Sequence, residues 1–398
     1  MLPKDWKIKT VKELATITTG NRDTQNKVMG GKYPFFVRSQ NIERINSFSY
    51  DGVAVLTAGD GVGVGKVFHY IDGKFDFHQR VYKISEFSPE IFPRFFFEYF
   101  KQYFMQEVCK YTAKTSVDSV RMEMISNMEI PVPPILEQQK ISRLFSVWDL
   151  AIEKQTELIA EKKSRKKELM RKLLSGEIRS KGCKGSWEEK SFGEIFEFIS
   201  STPLSREQLV IEPTKQKIMT IHYGDIHSKF KHSMLDLDNT PDLPYIKDEI
   251  IDIKQVNLLK EGDLIIADAS EDYAGVGSCI EIKNIGKKKV TGGLHVFIAR
   301  AKNKLTSPGY RAYILKSPVV AKELKKIATG VSVYSISKTN LAALKIMLPS
   351  ENEQRKIASI LHSLELEITN SEMQLEKLIL QKRGIAVKLL TGKMRIKK

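Results

Sequence analysis

Cysteine is scarce in this chain. Cys109, Cys183 and Cys279 are odd in number and far apart, so neither a disulfide framework nor a cysteine-built zinc site is supported. Long apolar runs are missing too: none approaches the ~20 residues a bilayer-spanning helix needs. The opening stretch MLPKDWKIKTVKEL lacks the apolar centre of a secretory signal, so a cytoplasmic protein with no membrane partner is expected. Acidic residues fall short of basic ones, 48 Asp and Glu against 64 Lys and Arg, for a formal charge of +16. That surplus says nothing about fold but favours a polyanionic partner, and nucleic acid leads. The hydrophobic content of 41% over 398 residues suffices for real cores in two or three domains.

Catalytic signatures are also lacking. No cofactor loop accompanies an Asn-Pro-Pro-Tyr-like stretch, as a DNA methyltransferase would require. No Ser-His-Asp arrangement is discernible, and the seven histidines have no metal-ligand spacing. GDGVGVGKV, from Gly59, resembles a phosphate-cradling loop only at first sight: Asp60 stands where the first glycine belongs, and Val67 follows Lys66 in place of a magnesium-binding hydroxyl. A glycine-rich strand turn is the better reading, and Lys66 on it could still touch a DNA phosphate. Pro241-Asp242 ahead of Asp252-Ile253-Lys254 matches the loose carboxylate pair plus lysine of magnesium-dependent nucleases. So loose a pattern arises easily by chance among 48 acids, and a nuclease stays as an alternative reading.

What the chain does have is repetition. EQQKISRLF, from Glu137, returns as EQRKIASIL, from Glu353, 216 positions later; KLLSGEIR, from Lys172, returns as KLLTGKMR, from Lys388, at the same offset. The segments between therefore share one length, and repeats dictate architecture. In the first copy Ile141, Phe145, Trp148, Ile152, Gln155, Ile159, Lys162, Lys166, Leu169 and Leu173 recur at alternating spacings of four and three. In the second, Ile357, Leu361, Leu364, Ile368, Ser371, Leu375, Leu378, Lys382, Ile385 and Leu389 keep the same rhythm. This is the heptad seam of a coiled coil, and it predicts helices about 60 Å long at ~1.5 Å per residue. Two independent amphipathic helices would show a similar pattern, but the shared polar interruptions (Gln155 with Ser371, Lys166 with Lys382) favour packing on each other. Ser350 ahead of Glu353 fits a capping box, and Gly176 and Gly392 stand where helices stop.

A weaker repeat lies between the helices. WKIKTVKELATITTG, from Trp6, resembles WEEKSFGEIFEFISS, from Trp187, at an offset of 181, while TAKTSVDSV, from Thr112, resembles ATGVSVYSI, from Ala328, at 216. The second unit thus carries 35 extra residues between the same start and finish, as insertions into loops of a shared scaffold would. Strand-like VAVLTAG and DLIIADA accompany helical FFFEYFKQYF and YRAYILKSPVVAKELKKI. The expected fold is α+β: two globular domains in pseudo-twofold arrangement, 1–133 and 181–348, separated by two long antiparallel coiled-coil helices within 134–180 and 349–398. The basic, glycine-bearing linker IRSKGCKGSW, from Ile178, reads as a hinge.

As a set, IPVPPILEQQKISRLF and IMLPSENEQRKIASIL, the KLLSGEIR and KLLTGKMR ends, and the KTSVDSV and GVSVYSI lead-ins resemble the specificity subunits of type I restriction-modification systems, over essentially the whole chain. The resemblance implies that each globular unit is a target-recognition domain reading one half of an asymmetric bipartite site in double-stranded DNA. It implies that the helices set the gap and dock methylation subunits, two in number, with restriction subunits joining later. It further implies a non-catalytic chain without a cofactor of its own, S-adenosylmethionine belonging to the methylation subunits. The specificity half of another restriction-type enzyme is the nearer alternative.

Arginine to guanine and Asn or Gln to adenine are efficient base contacts, so polar segments after apolar strands are candidates. VRSQNIER offers Arg38, Gln40, Asn41 and Arg44; its counterpart IHYGDIHSK offers His222, Tyr223, Asp225, His227 and Lys229. FHQR offers His78, Gln79 and Arg80, partnered by GGLH with His295. Lys114, Thr115 and Ser116 match Gly330, Val331 and Ser332, and Arg22 and Ser201 stand near the first turns of their domains. An ordinary solvated loop residue is the plain reading of each, and His78 and His295 could equally be buried histidines satisfied by backbone. The charged run EKKSRKKELMRK, from Glu161, reads as a solvated face, with an electrostatic contact to DNA or to a partner subunit as its alternative role.

Overall fold

The computed structural model describes residues 2–111, 119–230, 232–239, 243–250, 253–273 and 275–396. The chain forms two compact units, Met1–Thr156 with Gln374–Lys398, and Glu157–Met373. Each contains sheets, and each contains half of both long helices, Ile135–Leu174 and Glu351–Leu390, which are 40 residues apiece. The fold is α+β, with the two long helices packed together.

Every heptad position named above is buried or half-buried. The polar seam positions are paired antiparallel. In the first unit Lys382 Nζ donates to Asp149 Oδ1 at 2.5 Å and Gln155 Nε2 to Gln374 Oε1 at 3.3 Å. In the second, Lys162 Nζ donates to Ser371 Oγ at 3.0 Å and Lys166 Nζ to Glu365 Oε1 at 2.8 Å. The charged run from Glu161 is therefore not wholly solvated, because Lys162, Lys163 and Lys166 turn toward Ser371, Glu372 and Glu365. Gly176 (φ 75°) and Gly392 (φ 69°) end the helices in the left-handed region that glycine adopts without a Cβ clash.

The repeated Glu-Gln pair anchors each helix start. Glu137 accepts from Arg395 at 2.6 Å through both oxygens and from Trp6 Nε1 at 3.2 Å. Glu353 accepts from Arg179 at 2.8 and 2.7 Å and from Trp187 Nε1 at 3.2 Å. The glutamines do the same for the entering loops: Gln138 binds Pro133 O, Glu90 O and the Phe92 N–H, and Gln354 binds Pro349 O, Leu305 O and the Ser307 N–H. The expected capping box is thus half formed. Ser350 Oγ accepts the Glu353 N–H at 3.4 Å, but the Glu353 carboxylate is drawn to the Arg179 guanidinium, a charged donor stronger than the Ser350 N–H. The linker read as a hinge is tied down: Arg179 also donates to Gly185 O, the Ser180 N–H to Glu353, and Lys356 Nζ to Lys181 O.

In the first unit six strands form one sheet, in the order Thr16–Thr19, Val81–Ser85, Tyr50–Ala58, Phe68–Phe77, Tyr33–Phe36 and Glu43–Ile45. All neighbours are antiparallel except Tyr33–Phe36 beside Phe68–Phe77. The helix Pro93–Cys109 buries Phe95, Phe96, Phe100 and Phe104 in a core that also takes Val55, Ile84, Ile141, Phe145 and Leu389. In the second unit a five-stranded sheet runs Phe196–Ile199, Val296–Ala301, Leu264–Ala267, Cys279–Lys283 and Met234–Asp236. A four-stranded sheet runs Leu209–Val210, Tyr245–Ile246, Ile218–Ile221 and Lys289–Gly292, the last two parallel. The stretch YRAYILKSPVVAKELKKI is two helices, Arg311–Ile314 and Pro318–Ile327, because Pro318 cannot continue the first and instead opens the second.

Candidate nucleic-acid interface

In each unit a parallel strand pair delivers two candidate loops to one place, since parallel strands end together. In the first unit Phe36 pairs with Phe77, and the His78 N–H donates to Phe36 O at 2.9 Å. Arg38 and the turn His78–Arg80 therefore leave the sheet side by side. Gly20 lets a third segment approach, since a Cβ there would lie 2.0 Å from Phe77 O. Asp60, in the turn between Tyr50–Ala58 and Phe68–Phe77, joins them: Arg38 donates to it at 2.9 Å and Arg80 at 2.7 Å. Burial works against the charge of Asp60, but the two guanidiniums more than offset it and hold its carboxyl below the ordinary range. Both arginines keep exposed donors, and one carboxylate cannot neutralise two of them. Gln40, Asn41 and Lys66 are exposed nearby in sequence, and Gln79 Nε2 reaches Asp23 at 3.3 Å.

Other candidates have hydrogen-bond partners within the unit. Arg22 donates to the buried Asp76 at 3.1 Å, which also accepts from Ser47 and Ser49 at 2.8 Å. Arg44 donates to Gly31 O and Lys32 O, both at 2.8 Å. His78 is buried, its Nδ1 accepting the Arg80 N–H at 2.9 Å; burial and the Arg38 charge push its pKa down.

In the second unit Ile221 pairs with Gly292, so His222 and the turn leading to His295 leave the sheet together. The Tyr223 ring stands 4.9 Å from His222, 5.5 Å from His295 and 6.2 Å from His227. His295, at φ 52° and half exposed, is not the buried histidine that was expected as one possibility; its Nδ1 lies 3.3 Å from Asp268. Burial raises the Asp268 carboxyl and lowers the buried His222 imidazole. Asp225 caps the short helix Tyr223–Ser228 by accepting the His222 N–H at 3.0 Å, and it pairs with Lys229 at 2.7 Å. Ser201 is half-buried beside Thr202, whose N–H donates to Gly292 O. Ser332 is exposed on a turn closed by Thr329 and Ser335.

The lead-in repeats reach the same places. The Val120 N–H donates to Gly59 O at 2.7 Å and its counterpart, the Ile336 N–H, to Asp268 O at 2.9 Å. Lys114, Thr115 and Ser116 lie outside the described residues, as do Asp242 and Asp252 of the nuclease-like pattern. The acids Asp60 and Asp268 were not among the sequence candidates; the one signal for them was their position at the ends of VAVLTAG and DLIIADA. Among the described residues no group of three or more His, Cys, Asp or Glu could hold a metal ion, and no helix is long and apolar enough to cross a membrane.

The family model described as type I restriction modification DNA specificity domain matches residues 3–161 and 184–380. The type I restriction enzyme MjaVIII specificity subunit of Methanocaldococcus jannaschii is 23% identical over 425 residues, spanning 100% of this chain and 94% of that protein. The type I restriction-modification S subunit from M. genitalium superposes with a TM-score of 0.59 at 17% identity, over 97% of this chain and 96% of that one. A chain solved to explain complex assembly and conformational transition of the type I R-M system superposes at 0.62 and 16% identity, over 99% and 100%. This chain belongs to the family of type I restriction-modification DNA specificity subunits, the non-catalytic component that gives such a system its DNA specificity.

Proposed function

We propose that the chain reads an asymmetric bipartite site in double-stranded DNA, one half through each sheet-bearing unit. The observation that carries this is the pair of unlike clusters at matching strand ends: Arg38, Asp60 and Arg80 in one unit, Tyr223, His295 and Asp268 in the other. Guanidiniums poised by a shared carboxylate suit guanine edges, whereas an aromatic and imidazole cluster offers stacking and single hydrogen bonds. Different chemistry on a common scaffold supports two different half-sites. The functional division is 1–133 and 181–348 as readers, with 134–180 and 349–398 as spacers that set the gap.

The long helices also dock methylation subunits. Val147 and Leu150 in the first unit, and Leu366 and Met373 in the second, are large apolar side chains left exposed on them. Leu150 and Leu366 are equivalent in the repeat, which supports two methylation subunits per chain. Restriction subunits complete the assembly, S-adenosylmethionine is bound by the methylation subunits, and the complex works in the cytoplasm. Hydroxyl-radical footprinting of the methylation complex tests the reading: two protected tracts around an unprotected gap are expected, and one continuous tract would overturn it.

A further inference from the structure

The second unit has a cavity of about 630 Å³. Among the described residues it is lined by Lys215, Lys217, Lys287, Lys288 and Lys289 against one acid, Asp238. Leu237, Leu243, Met219 and Tyr245 make the floor. Lys288 is tied to Asp238 at 3.0 Å and Lys289 to Gln216 O at 3.3 Å. Lys217 and Lys287 are exposed, and neither ammonium donates to an acceptor among the described residues. The loop is fixed by Asp248, which accepts the Lys215 and Gln216 N–H groups at 2.8 and 2.9 Å, and Lys217 sits at φ 52°, in the left-handed region that residues other than glycine adopt uncommonly.

The cavity has a fixed relation to the His222–Tyr223 cluster. Lys217 and His222 flank the strand Ile218–Ile221, and Lys289 and Gly292 pair with its two ends. Lys217 and His222 are five positions apart, roughly 17 Å at ~3.3 Å per position, about five base steps along a DNA strand.

We propose that this lysine-ringed cavity is a phosphate pocket that grips the DNA backbone beside the second half-site. It rests on the DNA-reading function above and adds to it a backbone contact beside the second half-site. The shared chemistry is a phosphate anion, with the duplex backbone rather than a free nucleotide as its source. The pocket positions the duplex and carries no sequence information.

The test is the triple variant Lys215→Gln/Lys217→Gln/Lys287→Gln, in the full chain co-purified with its methylation subunits. Specific and non-specific duplex affinity should both fall roughly 10- to 100-fold, and the slope of log K against log salt should shrink by about 3, with the recognised sequence unchanged. An unaltered melting temperature, and recovery with Arg at the three positions, separate this from misfolding. A variant with wild-type slope and affinity overturns the proposal and leaves the DNA-reading function standing. Micromolar binding of ATP or tripolyphosphate that the variant loses, without a change in DNA affinity, overturns it in favour of a free nucleotide. A wild-type complex that binds no duplex removes both.

Discussion

Arg395 grips Glu137 with two contacts of 2.6 Å, and the same grip recurs as Arg179 on Glu353, the arginine 216 positions earlier and the glutamate 216 positions later. Each arginine follows the end of one long helix, and each glutamate lies in or beside the first turn of the other. The repeated EQ motif is therefore a clasp that closes each antiparallel half of the helix pair. A tryptophan from the start of the adjoining domain, Trp6 or Trp187, donates to the same carboxylate.

Removing one jaw of that clasp should hurt more than removing both. Arg179→Leu leaves the buried Glu353 carboxylate to the Ser180 N–H and Trp187 Nε1 donors and should lower stability measurably. The double variant Arg179→Leu/Glu353→Leu should recover part of that loss. Urea denaturation of the full chain measures both, and equal losses would contradict a compensated buried charge.

The clasp also sets an acid limit. Hydrogen bonds from Arg179 hold the Glu353 carboxyl below its ordinary value of about 4.5, against the opposing effect of burial. Its folded pKa being the lower one, its contribution is complete above about 4.5 and disappears as pH falls through the folded value. Melting temperatures from pH 7 down to 3 should drop less for Glu353→Gln than for the native chain. Parallel curves would refute this role.

The two seam lysines should differ in worth. Lys166 faces Glu365, only 2% exposed, whose carboxyl is kept well below the usual range by His232, Lys166 and Ser233 despite burial. Lys382 faces Asp149, 39% exposed, which retains Arg94 at 2.9 Å. It also faces the buried Glu98 at 3.7 Å, whose carboxyl burial already pushes toward the neutral form and which keeps Arg94 at 3.4 Å. Lys166→Met should cost about 3–5 kcal/mol and Lys382→Met distinctly less, by denaturant midpoints. The reverse order would show that seam solvation does not govern the pairing.

Reader residues should act on one half-site each. Arg80→Ala should relax discrimination only in the half read by the first unit, by about 1–3 kcal/mol. Tyr223→Ala should do so only in the other half. Binding to a randomised bipartite library reports both, and a variant that altered both halves would break the one-unit, one-half correspondence.

Much of this was legible in the residues, because heptads are local and periodic. Gly176, Gly392 and the seam from Ile141 to Leu389 declare themselves without tertiary knowledge. The clusters do not, since Phe36 and Phe77 must pair across 41 positions of sequence before Arg38 and Arg80 can meet. Asp60 looked like a spoiled nucleotide loop and is instead the carboxylate that joins two arginines. Arg22 and Arg44 are candidate readers whose partners, Asp76 and backbone carbonyls, only folding supplies.

The most direct test exchanges residues 181–348 for the equivalent segment of a relative with a different target and maps methylated bases across a host genome. The modified sites should keep the half belonging to the first unit, keep the gap, and change the other half alone. Sites altered in both halves, or sites that are contiguous, would contradict a chain in which two independent readers share one helical spacer.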